Sequence, residues 1–194
     1  MAAVKLYWIP LGAGGHFVRL NGLVYEAIAA RMQRRPRRDL YHTALTVELD
    51  RRYVIEDAWP VPAGAGATRG VVVEGPVFAA AFGRLRWLRY EVRRWPDGTI
   101  QDAAEAVGGP QLLTSDEALA RRVLEEAGRV PRHTWGRRVA GTDEMWNSNS
   151  VVAWILARSG FAMPAIRCPA AGRAPGWDSG VRLAQAPGPS PQPS

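Results

Sequence analysis

Residues 143–161 read DEMWNSNSVVAWILARSGF, and this stretch decides the fold that we predict for the whole chain. A small polar cluster precedes its apolar run: Asn147, Ser148, Asn149 and Ser150. Ser and Asn are preferred helix N-caps because their side chains accept hydrogen bonds from N–H groups that have no partner inside the helix. Gly160 suits the left-handed turn that ends a helix. The apolar residues cover more than one face, so we expect a central, buried helix.

The first turn of this helix has two interpretations. A helix N-terminus carries partial positive charge and free N–H donors, so a hydroxyl placed there meets a ready-made oxyanion stabiliser. Ser148 or Ser150 would then be a nucleophile, with Asn147 and Asn149 as oxyanion donors or helix caps. Plain capping is the alternative, and it is the commoner use of such residues.

Length and composition predict one folded domain. The chain has 194 residues, of which 47% are hydrophobic, and this is enough for a sizeable core. We expect a single α+β domain over residues 1–170 and a Pro/Gly-rich tail over residues 171–194, in which residues 172–177 form an ordered loop. The apolar run at the start is short and broken by Pro10, and no run approaches the ~18 apolar residues of a membrane span. We therefore expect a cytoplasmic protein without a membrane span.

The sequence predicts neither a metal nor a cofactor. Cys168 is the single cysteine, which excludes a disulfide framework and a cysteine-based metal cluster. The string GAGGH at residues 12–16 lacks the third glycine of the dinucleotide-binding fingerprint, so we interpret it as a turn.

The net charge of +7 comes almost entirely from arginine. The densest cluster surrounds Pro36 and consists of Arg34, Arg35, Arg37 and Arg38. Such a cluster is either a polyanion-binding patch or a solvated linker, and we favour the linker because a lone charge run is weak evidence for a binding site. No zinc-finger spacing or aromatic RNA-binding signature supports a nucleic-acid partner.

Most of the strand signals precede the helix signals. Leu45, Val47 and Leu49 alternate with more polar residues, which predicts a half-buried strand, and residues 53–55 begin a second strand after a short turn. Further strands are predicted at residues 70–74 and 87–95, and helices at residues 17–32 and after Thr114. This order predicts an α+β fold in which an antiparallel sheet packs on the central helix.

Three residue types needed for nucleophilic catalysis occur in these elements. His42 begins the first predicted strand, and Glu56 and Asp57 lie on the next one. A hydroxyl at a helix start, a histidine and a carboxylate would form a nucleophile–histidine–acid arrangement. Neighbouring residues of a strand face opposite ways, so the sequence leaves open whether Glu56 or Asp57 faces His42. His42 itself has the strand parity of Ala44, opposite the apolar face.

The order of these motifs resembles the circularly permuted papain-like hydrolases, which include the lecithin–retinol acyltransferase-like enzymes and are related to the NlpC-type cell-wall peptidases. Members carry His-x-Ala/Gly-hydrophobic on a strand, as YHTALTV does here, then a polar residue on the next strand. At a helix start they carry Asn-Cys-x-x-hydrophobic-hydrophobic, where this chain has NSNSVV. The resemblance covers about residues 40–60 and 143–160. It departs from the family at the nucleophile, because Ser148 stands where the family has cysteine.

The resemblance implies a permuted papain-like fold and a hydrolase or acyltransferase that acts on an amide, ester or thioester of a small molecule, peptide or lipid. Ser148 would be the nucleophile, His42 the base and Glu56 the orienting acid. Two alternatives stay open. One is a catalytically inactive member of the fold that binds a ligand or partner, and the other is a basic polyanion-binding protein. Neither the substrate nor the oligomeric state follows from the sequence.

Overall fold

The computed structural model describes residues 1–11, 38–62, 64–169 and 172–186, and these residues form seven strands and four α-helices. The strands are β1 (Ala3–Pro10), β2 (Asp39–Glu48), β3 (Arg52–Ala58), β4 (Val71–Pro76), β5 (Arg89–Pro96), β6 (Gln111–Thr114) and β7 (Gly172–Arg173). The helices are α1 (Ala65–Thr68), α2 (Glu117–Ala127), α3 (Ser148–Arg158) and α4 (Trp177–Gln185).

Six of the strands form an antiparallel sheet in the order β4-β5-β3-β2-β1-β6, and the short β7 pairs in parallel with the start of β2. The predicted α+β class with an antiparallel sheet is therefore confirmed. The turn between β2 and β3 gives the predicted hairpin, in which Val47 pairs with Tyr53. The sequence did not predict β1 or β6, although β1 lies between β2 and β6.

Both faces of the sheet are covered, and each face has its own apolar cluster. The larger cluster contains Val4 and Leu6 of β1 and Leu45 and Val47 of β2, together with the buried apolar residues of α2 and α3. The smaller cluster contains the alternate residues of the same strands, among them Ala44, and it packs against the segment around Ile100. We name these surfaces the helix face and the second face of the sheet.

Burial on both faces corrects the prediction that β2 is half-buried. Leu45 and Val47 are fully buried on the helix face, and Ala44 and Thr46 are also buried on the second face. Side chains of β1 are likewise buried on both faces, and this explains why the strand was missed. A strand buried on both faces reads as a continuous apolar run rather than as an alternation of apolar and polar residues.

The apolar helix α3 packs on the helix face. Residues 149–156 are all buried, and the helix contacts β2, β3, α2 and α4. Its low helix propensity, which follows from two valines and an isoleucine, is offset by this packing and by its N-terminal cap. Arg158 lies in the last turn, where a positive charge suits the helix dipole, and Gly160 adopts the left-handed conformation expected after the helix.

The segment predicted as a C-terminal tail is mostly part of the fold. Residues 172–186 form β7 and α4, and α4 packs closely against α3. The amphipathic pattern of α4 buries Ser179 and Gly180 against α3. The high Pro and Gly content around Gly172 and Gly176 hid this helix, because those residues form the tight connection that leads into it.

Some predictions fall outside the described residues. These are the helix at residues 17–32, the GAGGH turn, and Arg34, Arg35 and Arg37 of the arginine cluster. Arg38, the last member of that cluster, immediately precedes β2 and is exposed. Within the described ranges, no helix has the length and apolar character needed to cross a bilayer.

We predict that Gly180→Ala destabilises the protein although alanine is the better helix former. A Cβ at Gly180 would overlap the carbonyl oxygen of Ser150 and would lie 2.9 Å from Ala153 Cβ, so α4 would have to move away from α3. We expect a loss of about 1–3 kcal/mol in the free energy of unfolding, measured by urea denaturation. Gly66→Ala is the matched control, because its Cβ would meet only Val71 at an ordinary 3.5 Å. A stabilised Gly180→Ala variant would contradict this packing.

Candidate functional site

The start of α3 is a complete capping box. The Asn147 side chain accepts hydrogen bonds from the N–H groups of Asn149 and Ser150, at 3.0 and 3.2 Å. In return, the Ser150 hydroxyl accepts from the backbone N–H of Asn147 at 3.2 Å. These contacts satisfy N–H groups that would otherwise have no partner at the helix start. Asn147 therefore acts as the helix cap. Because its Oδ1 already accepts from two N–H groups at the helix start, those groups are not free to bind an oxyanion.

Asn149 joins three parts of the chain. Its amide nitrogen donates to the carbonyl oxygens of Tyr41 and Pro175, each at 2.9 Å, and its Oδ1 accepts from the Thr43 hydroxyl at 3.0 Å. The side chain is buried, so these bonds form in an environment where an unpaired amide would be costly. Asn149 therefore anchors the start of α3 to β2 and to the connection before α4.

The two serines of this turn differ in their surroundings. Ser150 is fully buried, and its hydroxyl lies 2.8 Å from the carbonyl oxygen of Gly176 and 3.0 Å from that of Met145. It is therefore a structural hydroxyl that ties α3 to the start of α4. Ser148 is partly exposed, and its hydroxyl makes no hydrogen bond within the described residues. Of the two, Ser148 is the one that a substrate could reach.

His42 lies on the second face of the sheet, opposite α3. Its neighbours in β2, Tyr41 and Thr43, face the helix, since Tyr41 belongs to the larger cluster and Thr43 bonds to Asn149. His42 shares the orientation of Ala44, which belongs to the smaller cluster. Burial lowers the pKa of His42 below its ordinary value, and the negative charge of Asp102 partly offsets this effect. The carboxylate that acts on His42 is thus Asp102, which the sequence did not suggest.

Glu56 and Asp57 face opposite sides of the sheet, as the strand period requires. Glu56 lies on the second face and accepts from Arg93 Nη1 at 3.3 Å. Burial raises the pKa of Glu56, and the positive charge of Arg93 opposes the increase. Glu56 thus shares the face of His42, but its hydrogen-bond partner is Arg93. Its carboxylate is committed to an ion pair and does not orient an imidazole.

The predicted Ser148–His42–Glu56 triad is not assembled. Ser148 begins the helix on one face of the sheet, whereas His42 and Glu56 lie on the other face. The backbone of the sheet separates these two faces, so the His42 imidazole cannot take the Ser148 proton in this arrangement. The physical reason lies in the register of β2, which turns Tyr41 and Thr43 toward α3.

Arg93 forms a buried ion cluster with Glu56 and Glu91 on the second face. Glu91 is 1% exposed and Arg93 is 5% exposed, so water stabilises neither charge. Each charge is instead stabilised by the other and by nearby backbone groups. Arg93 Nη2 lies 3.3 Å from Glu91 Oε2 and also donates to the carbonyl oxygen of Trp59. The N–H of Val61 donates to Glu91 at 3.3 Å. The cluster therefore holds the loop that follows β3 against the sheet.

Asp57 lies on the helix face beside aromatic side chains. It accepts from Trp135 Nε1 at 2.9 Å, and burial raises its pKa to about 7 although this hydrogen bond acts in the opposite direction. Nearby, the Tyr90 hydroxyl donates to the carbonyl oxygen of His133 at 2.8 Å and accepts from Trp146 Nε1 at 3.2 Å. Asp57 thus helps to hold the loop between α2 and α3 against the sheet.

A cavity of about 550 Å³ lies between α4, β7 and the segment that follows α3. Trp8 and Trp177 form part of its wall, with ring centroids 5.0 Å apart, and Ile166 adds a further apolar surface. Arg38, Arg167 and Arg173 also line this cavity. Glu144 and Asp178 add two carboxylates to the lining, so the cavity combines an apolar, aromatic wall with charges of both signs. Apolar walls with convergent polar groups are typical of small-molecule sites.

An ion pair with Glu144 anchors Arg173 at this cavity. Its Nη2 donates to Glu144 Oε1 at 3.0 Å, while Glu144 Oε2 accepts from the N–H of Gly176 at 2.8 Å. Its Nη1 is buried and has no hydrogen-bond partner in the described part of the protein. A second cavity, of about 710 Å³, shares Glu144, Arg173 and Asp178 with the first. Arg173 therefore lies at the junction of two cavities with one N–H group unpaired.

Cys168 also lines the smaller cavity. Burial raises the pKa of its thiol to about 11, which keeps the sulfur protonated near neutral pH. A protonated thiol is a weak nucleophile, so Cys168 does not replace the cysteine of the papain-like enzymes. No group of three or more His, Cys, Asp or Glu side chains within the described ranges is arranged to hold a metal ion.

Comparison of the chain with known proteins found no relative. No protein-family model matches the chain, and comparisons with the curated proteins and with the solved structures also gave no match. The resemblance to the permuted papain-like hydrolases therefore remains a prediction from short motifs.

The signals for the cavity were present in the sequence but were spread along it. Trp8 lies in an unrecognised strand, and Arg173 and Trp177 both lie in the segment predicted as a tail. The one local signal was the ordered loop predicted at residues 172–177, which does carry Arg173. Sequence reasoning could not join it to Trp8 without the position of β1 in the sheet.

We predict that Asp57→Asn stabilises the protein increasingly as the pH rises. The folded protein raises the pKa of Asp57 from 3.8 to about 7, so between these values the folded state binds more protons than the unfolded state. The wild-type free energy of unfolding must then fall as the pH rises through this window, and the penalty is complete above the folded pKa. Asparagine can still accept from Trp135 but carries no charge.

The measurement is urea unfolding of both proteins at intervals from about pH 4 to about pH 8, the range that the two pKa values span. The stability of Asp57→Asn relative to wild type should increase across it. Asp50→Asn is the control, since Asp50 is exposed in the turn between β2 and β3 and forms no ion pair within the described residues. A constant difference between Asp57→Asn and wild type would contradict the raised pKa.

Proposed function

We propose that this chain is a non-catalytic binding domain that holds a small amphipathic anion between Trp8, Trp177 and Arg173. The observation that carries the proposal is the unpaired, buried Nη1 of Arg173 at a cavity with an apolar, aromatic wall. We also infer that the chain is a member of the permuted papain-like group and that it lacks the catalytic chemistry of that group. The motif order supports this relation, and the argument for binding does not depend on it.

The first support is the environment of Ser148. A serine hydroxyl is a weak nucleophile at neutral pH and needs a base within hydrogen-bond reach. His42 lies on the other face of the sheet, and His133 stacks against Trp146 with ring centroids 4.9 Å apart. Burial lowers the pKa of both histidines. The remaining polar side chains of the turn, Asn147 and Asn149, are committed to capping and anchoring.

The second support is the chemistry of the cavity. An apolar ligand body would pack against Trp8, Trp177 and Ile166, and this contact would bury apolar surface. A carboxylate, sulfonate or phosphate on the same ligand could pair with the Arg173 guanidinium, which lines the cavity, and a small movement would bring the buried Nη1 within reach. Charge-assisted hydrogen bonds of this kind contribute more than neutral ones, and the planar guanidinium is suited to these anions. The proposed ligand class is therefore an aromatic or acyl compound that carries one anionic group.

The third support is the rigidity of Arg173. Glu144 binds the other terminal nitrogen and also binds the backbone before α4, so the guanidinium is fixed before any ligand arrives. A fixed donor loses little conformational entropy when it binds, which favours affinity.

We predict that the protein does not react with a fluorophosphonate serine probe. Without a base near the hydroxyl, Ser148 should remain unlabelled, and wild type and Ser148→Ala should give the same background in gel fluorescence. A serine hydrolase labelled in parallel verifies the probe. Labelling that disappears in Ser148→Ala and in His42→Ala would contradict the non-catalytic assignment and would support the hydrolase instead.

We predict that 1-anilinonaphthalene-8-sulfonate binds the cavity through its sulfonate as well as its rings. Arg173→Gln should raise its dissociation constant about tenfold, the loss expected for one charge-assisted hydrogen bond. N-phenyl-1-naphthylamine has the same rings without the sulfonate, so its affinity should change little. Fluorescence titration of both probes measures the difference.

Two further variants separate binding from folding. Arg167→Gln removes an exposed charge of the same cavity and should weaken only the sulfonate probe. Arg121→Gln removes an exposed charge on α2 and should affect neither probe. Equal losses for both probes in Arg173→Gln, or no binding of the sulfonate probe to wild type, would overturn the proposed ligand site.

A further inference from the structure

A cluster of exposed apolar side chains lies away from the cavity. Seven large hydrophobic side chains are exposed in the described part of the chain, and four of them belong to neighbouring segments: Trp59, Phe78, Leu85 and Trp87. Trp87 is 69% exposed and Trp59 is 60% exposed, which is unusual for the largest apolar side chain. A cluster of this kind on one surface marks an interaction site more often than scattered single residues do.

Backbone contacts hold these segments together. Arg86 of the 3₁₀ helix Arg86–Leu88 donates to the carbonyl oxygen of Val61, which joins that helix to the loop containing Trp59. The N–H of Val77, next to Phe78, donates to the carbonyl oxygen of Leu88 at 2.9 Å. The end of β3, the end of β4 and the start of β5 lie at the same end of the sheet, so the segments that carry the four side chains meet there. We name these four exposed side chains the aromatic patch.

Phe78 is fixed in an outward position. Its backbone has a φ of 61°, a left-handed conformation that costs energy for a side chain with a Cβ. Its N–H donates to the carbonyl oxygen of Trp135 at 2.8 Å, and its ring meets the Trp135 ring edge-on at 6.0 Å. Despite these contacts the side chain is 58% exposed. The fold therefore maintains a strained backbone beneath an exposed apolar ring.

Arginines surround the aromatic patch. Arg84 and Arg86 alternate with Leu85 and Trp87 along the chain, and all four side chains are exposed. Arg137 donates to the carbonyl oxygen of Phe78 at 3.1 Å. Arg132 reaches Gly83, where a Cβ would lie 3.9 Å from its guanidinium. None of these four arginines forms an ion pair with a carboxylate of the described residues. The patch thus combines exposed apolar rings with uncompensated positive charge.

We propose that the aromatic patch docks on the surface of an anionic lipid bilayer. Tryptophan is favoured at the interface between lipid headgroups and acyl chains, where its ring is amphipathic. Arginines at the same level are attracted to anionic headgroups. Trp59, Phe78, Leu85 and Trp87 enter the interface, and Arg84, Arg86, Arg132 and Arg137 contact lipid phosphates. This inference does not depend on the proposed ligand cavity.

The composition of the patch favours lipid over single-stranded nucleic acid. Both partners would use arginines, and bases would stack on tryptophan. Leu85 offers no ring for a base, yet it is 45% exposed between two exposed arginines. Aliphatic side chains gain free energy by entering the acyl region, so Leu85 fits a bilayer better.

We predict that the full chain sediments with vesicles of phosphatidylcholine and phosphatidylglycerol but little with vesicles of phosphatidylcholine alone. The partition coefficient should differ about tenfold or more, since several arginines contribute. Leu85→Ser combined with Trp87→Ser should lower binding to the anionic vesicles about tenfold, because two interfacial side chains are lost. Arg84→Gln should lower it less, and added salt should weaken wild-type binding.

Two control variants carry equivalent changes elsewhere. Leu112→Ser removes a side chain that is 57% exposed on β6, and Arg121→Gln removes an exposed arginine on α2. Neither should alter vesicle binding. Equal binding to the two kinds of vesicle, or an equal loss in Leu112→Ser, would overturn the proposal. Tight binding of a fluorescent oligothymidylate without vesicle binding would overturn it as well and would assign the patch to nucleic acid.

Discussion

The structure depends on the attachment of the start of α3 to β2 through Asn149. This buried amide bonds to the Tyr41 carbonyl, the Thr43 hydroxyl and the Pro175 carbonyl, and so links a central strand, the apolar helix and the C-terminal segment. A buried amide with all these partners is stabilising, whereas an amide that lost them would be costly. The attachment fixes the register of α3 on the sheet and decides which residues of β2 face the helix.

That constraint also separates the side chains that could have formed a catalytic site. With Tyr41 and Thr43 turned toward α3, His42 must face the opposite side of the sheet. On that side the negative charge of Asp102 acts on His42. Glu56 pairs there with Arg93, in a buried cluster that holds a loop in place. Polar groups that look catalytic along the chain thus have structural surroundings in the fold. Two buried side-chain polar atoms of the described residues have no hydrogen-bond partner, Thr46 Oγ1 and Arg173 Nη1, and only Arg173 of these two residues lines a cavity, which is built partly from the C-terminal segment.

The antiparallel sheet, the β2–β3 hairpin and the cap of α3 were predictable because their signals are local. Alternation, turn residues and capping side chains act over a few neighbouring positions. β1 and α4 were missed for physical reasons that differ. β1 is buried on both faces and so shows no alternation, and α4 follows a segment rich in Pro and Gly that resembles a tail. The parity of His42 with Ala44 was readable in the sequence and already placed it opposite the apolar face.

The sequence by itself determined the class of fold, the capped apolar helix and the alternate orientation of Glu56 and Asp57, because these follow from periodicity and local hydrogen bonding. Only the tertiary structure decided which face α3 covers, which charges are paired and where a ligand could enter. Those outcomes require contacts between residues far apart in the chain, such as Trp8 with Trp177 and Asn149 with Thr43. Such contacts depend on how the whole chain packs, and no short stretch of sequence encodes them.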